Sequence, residues 1–163
     1  TVADRILGEI VDQVPPDLSW QDTLRQLARS AVAVYLTYPA VGVAMFSRTL
    51  RRRNEFRAVE LIVKSMHEAG LSGAEAALYY RTIGDLFNAY AGLSASVAML
   101  DPAVRDADES SWSKEYRMVD EAEFPNITRV SKDLADVKDT DILETYVDAI
   151  ILAIETRAGT ARG

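Results

Sequence analysis

The chain has 163 residues, 48% of them hydrophobic and 26% charged, the balance of a globular domain and not of a disordered segment. Eighteen Lys and Arg against twenty-five Asp and Glu give a formal charge of −7 and a pI near 4.7, which speaks against the broad basic face needed to grip phosphates. Cysteine is absent, so disulfides and thiolate chemistry are excluded, and a reducing cytoplasm is the expected compartment.

No apolar run approaches the roughly 20 residues of a membrane-spanning helix; the longest is Ala149 to Ile154. Asp4 and Glu9 interrupt the N-terminus where a signal peptide would be uniformly apolar. No membrane partner is therefore expected.

In chain order, Val2, Ile6, Ile10 and Val14 recur every four residues, predicting a helix over 2–14 that Pro15 and Pro16 stop. The chain starts with Thr1, not Met, and a helical pattern already runs from Val2; it is expected to begin inside a longer protein. Ser19, with Asp22 three residues on, reads as the cap of a second helix. Its stripe is Trp20, Leu24, Leu27, Ala31, Val34 and Tyr38, and Pro39 ends or kinks it. A short apolar piece over 41–46 leads to Arg51-Arg52-Arg53, with Arg48 and Arg57 nearby. A solvated turn is the preferred reading of these arginines, ahead of a phosphate or acidic-partner site.

Asn54 is the expected cap of the next helix, whose buried face is Phe56, Val59, Ile62, Val63 and Met66. Gly70 followed by Leu71 has the form of a Schellman stop. Ser72 with Glu75 opens the longest helix, running to Leu100 and about 40 Å long. Tyr79, Ile83, Leu86, Tyr90, Leu93, Val97 and Leu100 form one apolar seam on it. Tyr80, Gly84, Phe87, Ala91, Ser94 and Ala98 form a second.

Asp101-Pro102 closes this helix, and the acidic stretch to Glu123, carrying Trp112, Tyr116 and Met118, reads as a loop leading into a short helix. Another short helix follows Pro125 over 127–137, and Asp141 with Glu144 caps a last one to Arg157. No strand pattern and no internal repeat interrupts this order. The fold class is all-α, a bundle of about seven helices forming a single domain over 1–163.

Two helices carry more apolar surface than one domain of this size easily covers, namely the long one and the last. A two-fold partner would cover both as a four-helix bundle. The expected interface is Ala89, Gly92, Ser96 and Met99 from the long helix and Tyr146, Ile150, Ile151 and Ile154 from the last. A monomer built around one central helix is the alternative.

Catalytic and metal-binding patterns are missing. His67 is the only histidine; four residues after Val63, it falls on the apolar side of its helix. It reads first as a hydrogen-bonded core residue and second as a polar contact for a bound molecule. No His-Glu-x-x-His, Glu-x-x-His or cysteine pair offers metal ligands, and no Gly-x-Ser-x-Gly or phosphate-cradling glycine loop is present. No cofactor, metal or enzymatic activity is expected. Tyr35, Tyr38, Tyr79, Tyr80 and Tyr90 read as core residues with hydroxyls at its rim, or as walls of a cavity beside Met66, His67 and Phe87.

Trp20 opens a helix that ends at Tyr38-Pro39, and the helix containing Glu60 and Met66 ends at Ala69-Gly70-Leu71-Ser72. A long helix of small and aromatic residues, then Phe124-Pro125-Asn126-Ile127 and an apolar terminal helix complete the order. This order resembles the C-terminal domain of TetR-family transcriptional regulators across nearly the whole chain.

The resemblance implies a homodimer formed through the long and last helices. It also implies a small apolar or amphipathic effector held among the helices of 20–38, 54–69 and 72–100. Tyr35, Met66, His67, Tyr80, Ile83 and Phe87 are the expected pocket residues, with Trp112 in a lid. Residues 1–14 correspond to the helix joining the sensor to a helix-turn-helix head, and operator DNA would be bound only through that head, which this chain is expected to lack. A repressor released from DNA by its effector is the function implied. A stand-alone helical protein-interaction module is the alternative.

Overall fold

The structure, a computed structural model, describes residues 1–160; residues 161–163 of the domain expected from the sequence lie outside the described part. The first two helices begin where a hydroxyl can cap them. Thr1 accepts from the Asp4 N–H to start α1 (Val2–Asp12), and Ser19 accepts from the Asp22 N–H to start α2 (Trp20–Thr37). Pro39, expected to end a helix, instead occupies the first turn of α3 (Pro39–Met45), where its missing N–H costs nothing.

The fourth helix, α4 (Arg53–Ala69), ends as the sequence predicts. Gly70 adopts φ 97°, the Leu71 N–H donates to the Met66 carbonyl at 2.9 Å, and Leu71 is buried. Asn54 does not cap it, since Arg52 holds that position; its backbone N–H and side-chain amide donate to Asp4 of α1. Gly8 leaves room for this junction: a Cβ there would lie 2.9 Å from the Asn54 amide nitrogen and would push that amide aside.

Ser72 precedes α5 (Gly73–Ala98) without a side-chain capping bond, and Glu75 pairs with Arg157 instead. Asp101-Pro102 closes α5 and also opens α6 (Pro102–Ser111), with Asp101 accepting from the Ala103 N–H. The acidic stretch expected as a loop is thus largely helical, and a 3-10 turn over Glu115–Arg117 follows. α7 (Pro125–Leu134) and α8 (Asp139–Thr160) complete an all-α fold of eight α-helices among the described residues.

The core is one cluster. α5 lies against α2, α3 and α4, while α1 packs along α4 and α2. α8 rests on α2 and α4 and meets α5 antiparallel through side chains: Tyr90 stacks on Tyr146 and Glu75 pairs with Arg157. Arg25–Asp148 and Arg29–Glu144 pairs tie α2 to α8 at 2.8 and 2.6 Å. The Arg29 hydrogen bonds hold the Glu144 carboxyl below its ordinary range. Such exposed pairs contribute roughly 0–1 kcal/mol each and mainly fix orientation. α6 buries none of its residues and α7 only Ser131, so the segment from 102 to 134 is thinly packed.

Candidate functional site

Tyr35 on α2, Met66 on α4 and Ile83 and Phe87 on α5 are all buried in the same core, with Met66 and Ile83 at 0% exposure. Here the α5 pattern of Ile83, Phe87, Ala91 and Ala95 turns inward against α2 and α4. The polar element of this region is a pair. The Tyr35 hydroxyl donates to the Asn88 side-chain oxygen at 3.0 Å, and the Asn88 amide donates to the Gly84 carbonyl at 2.9 Å. Burial pushes the Tyr35 phenol up to about 12, so it stays neutral and able to donate through the physiological range. Sequence reading passed over Asn88, whose place on α5 between Phe87 and Ala89 carries no motif.

Tyr80 sits half-buried at the edge of this region, its phenol raised by burial and then by the nearby Glu55 carboxylate. His67 requires a correction. It is exposed in the last turn of α4, because that helix buries Ile62, Ser65, Met66 and Ala69 and position 67 turns about 100° away from Met66. Trp112 lies at the end of α6, 41% exposed, against Tyr116 at 4.5 Å between ring centroids. Four of the seven expected pocket residues are therefore brought together, one borders them, and two are on the surface.

The expected interface residues divide as well. Ala89 and Ser96 lie on exposed positions of α5 and Met99 is exposed directly after it, whereas Gly92 is buried under Phe46: a Cβ there would approach the Phe46 Cβ to 2.6 Å. Ile151 and Ile154 are buried in the chain's own core, and Tyr146 and Ile150 are half-buried. Besides Ala89 and Met99, further apolar side chains stay open on α5 and α8. Leu78 and Leu93 are 64% and 60% exposed on α5, and Leu152 is 63% exposed on α8, with Ile142 and Leu100 less so. Ala89, Ala149 and Ala153 are exposed among them.

Among the described residues, no cluster of three or more His, Cys, Asp or Glu has the geometry to hold a metal, and no helix is long and apolar enough to cross a membrane.

The family model of the tetracyclin repressor-like C-terminal domain matches residues 14–156. No curated protein sequence matches the chain. Several solved structures share its fold. Apo ActR from Streptomyces coelicolor superposes with a TM-score of 0.76 at 18% identity, over 98% of this chain and 73% of that one. SCO7222, a TetR regulator of the same organism, gives 0.79 at 17% identity, over 94% and 73%. ActR in complex with actinorhodin gives 0.73 at 16% identity, over 97% and 76%. At these identities the structural likeness concerns fold, while the family match spans most of the sequence. The chain belongs to the tetracyclin repressor-like C-terminal domain family and is the C-terminal domain of a TetR-type transcriptional regulator.

Proposed function

We propose that this domain senses a small, largely apolar or amphipathic molecule between α2, α4 and α5, and that it works as a homodimer. The observation that carries the reading is the Tyr35–Asn88 pair, a buried donor and a half-buried acceptor set in a largely apolar region. Small organic ligands favour such a combination of apolar walls and a few fixed polar groups. Met66, Tyr80, Ile83 and Phe87 would form the walls, and the thinly packed 102–134 segment with Trp112 would be the lid. His67 would enter only at the rim. The actinorhodin-bound ActR structure is consistent with this reading.

The dimer would form through the open faces of α5 and α8, which lie side by side and carry Leu78, Leu93 and Leu152. Ligand occupancy would shift α1, fixed to α4 by the Asp4–Asn54 bonds, and thereby a DNA-binding head joined at α1. A cytoplasmic repressor without enzymatic activity is the function that best accommodates these features.

A thermal-shift screen against a metabolite library tests the sensing site. At about 100 times its Kd a ligand adds about 2.7 kcal/mol, or roughly 5–10 °C in melting temperature for a domain of this size. Met66→Trp and Phe87→Trp, which enlarge side chains packed between α4 and α5, are expected to weaken binding of such a compound at least about tenfold, a loss of about 1.4 kcal/mol. Unchanged affinity in both variants would place the ligand elsewhere.

A further inference from the structure

The arginine turn between α3 and α4 does not stand isolated in solvent. Arg51, Arg52, Arg53, Arg57 and Lys64 line an open groove of about 760 Å³ along α4, together with a single carboxylate, Glu60. Two of the cations have partners: Arg57 pairs with Asp12 at 2.6 Å, and Lys64 lies 3.5 Å from Glu68. Arg51, Arg52 and Arg53 have no carboxylate within ion-pair distance among the described residues. The Glu55 carboxylate accepts from the Arg51 backbone N–H at this turn, but the three consecutive guanidinium groups outnumber it, and an anion between them would offset their mutual repulsion.

The rest of the lining is apolar. Phe56 is 62% exposed although it lies on a helix, and half-buried Val11 and Leu61 extend the apolar surface beside it. The backbone is unusual at the rim too. Arg51 has φ 56°, a left-handed conformation that glycine adopts freely and other residues adopt at a cost. The chain keeps a cation there where glycine would relax the turn.

Charge and apolar surface together select the occupant. A nucleic acid needs a broad basic face, but this patch is one groove long, includes Glu60, and has Asp12, Glu55 and Glu68 bonded to its cationic residues, on a chain of net charge −7. We propose that the groove binds a small amphipathic anion, an aromatic or acyl body bearing one carboxylate, sulfonate or phosphate group. Its body lies on Phe56 and its acid group between Arg52 and Arg53, whose forked donors suit such groups. This site is separate from the buried region between α2, α4 and α5.

Fluorescence titration with 8-anilinonaphthalene-1-sulfonate, beside its uncharged relative N-phenyl-1-naphthylamine, tests the assignment. The wild-type chain is expected to bind the sulfonate at least about tenfold more tightly than the neutral compound, as charge-assisted contacts require. Arg52→Glu with Arg53→Glu should weaken sulfonate binding about tenfold or more and change the neutral compound by less than about twofold. Phe56→Ser should weaken both, while Lys138→Glu, an exposed cation outside the groove, should leave both unchanged. All three substituted groove residues are exposed, so the variants are expected to melt like the wild type. Sulfonate binding that survives Arg52→Glu with Arg53→Glu, or that Lys138→Glu weakens as much as that pair does, would overturn the proposal.

Discussion

Leu93→Glu combined with Leu152→Glu is expected to convert the domain from a dimer to a monomer at micromolar concentration. Both leucines are more than half exposed within one chain, at 60% and 63%, so neither supports the chain's own core. In the proposed dimer they become buried along α5, a helix of 26 residues and about 39 Å, and along α8 beside it. Two-fold symmetry doubles each substitution, placing four carboxylates in an apolar interface without partners. The penalty is several kcal/mol, equivalent to a rise in dimer Kd of about a thousandfold or more. Sedimentation equilibrium reads the outcome. A dimer that persists in the double variant would move the interface off these faces.

Ile154→Ala should act differently. Ile154 is fully buried within the chain, so its truncation leaves a cavity and costs about 2–5 kcal/mol of folding stability. Urea unfolding at several protein concentrations should find that loss at each of them. Leu152→Ala, two residues away on the open face, should cost within about 0.5 kcal/mol at protein concentrations where the chain is monomeric, the condition for comparing the two. Equal losses for the two substitutions would contradict the rotational setting of α8.

That rotational setting marks the limit of what could be read from the sequence. Ile150, Ile151, Leu152 and Ala153 are consecutive apolar residues spread around most of a helical turn, so spacing alone does not choose which of them faces inward. The chain resolves the choice by packing Leu143, Val147, Ile151, Ile154 and Ala158 onto α2 and α4. Gly92 shows the same limit on α5. A small residue on a long helix fits a close partner helix, but here the close neighbour is Phe46 of the same chain.

Local signals were more legible. Ser19, Gly70-Leu71 and the proline steps act within a few residues, and each marks an observed boundary. Asn54 misled because its capping chemistry is satisfied across space by Asp4, a contact that only tertiary structure supplies. Phe56 misled for a related reason: its position fits the apolar stripe of α4, yet the ring lies open beside the arginines. Of the sensing region, the apolar members followed from periodicity. Asn88 did not, because a hydrogen bond spanning 53 residues of sequence leaves no local trace.

Hydrogen exchange, with and without the compound that most raises the melting temperature, tests the sensing account most directly. Binding between α2, α4 and α5 predicts slowed exchange around Tyr35, Met66 and Ile83 to Asn88, with altered exchange in α1 near the Asp4–Asn54 junction. Protection confined to the outer surface of α4, with α5 and α1 unchanged, would contradict it.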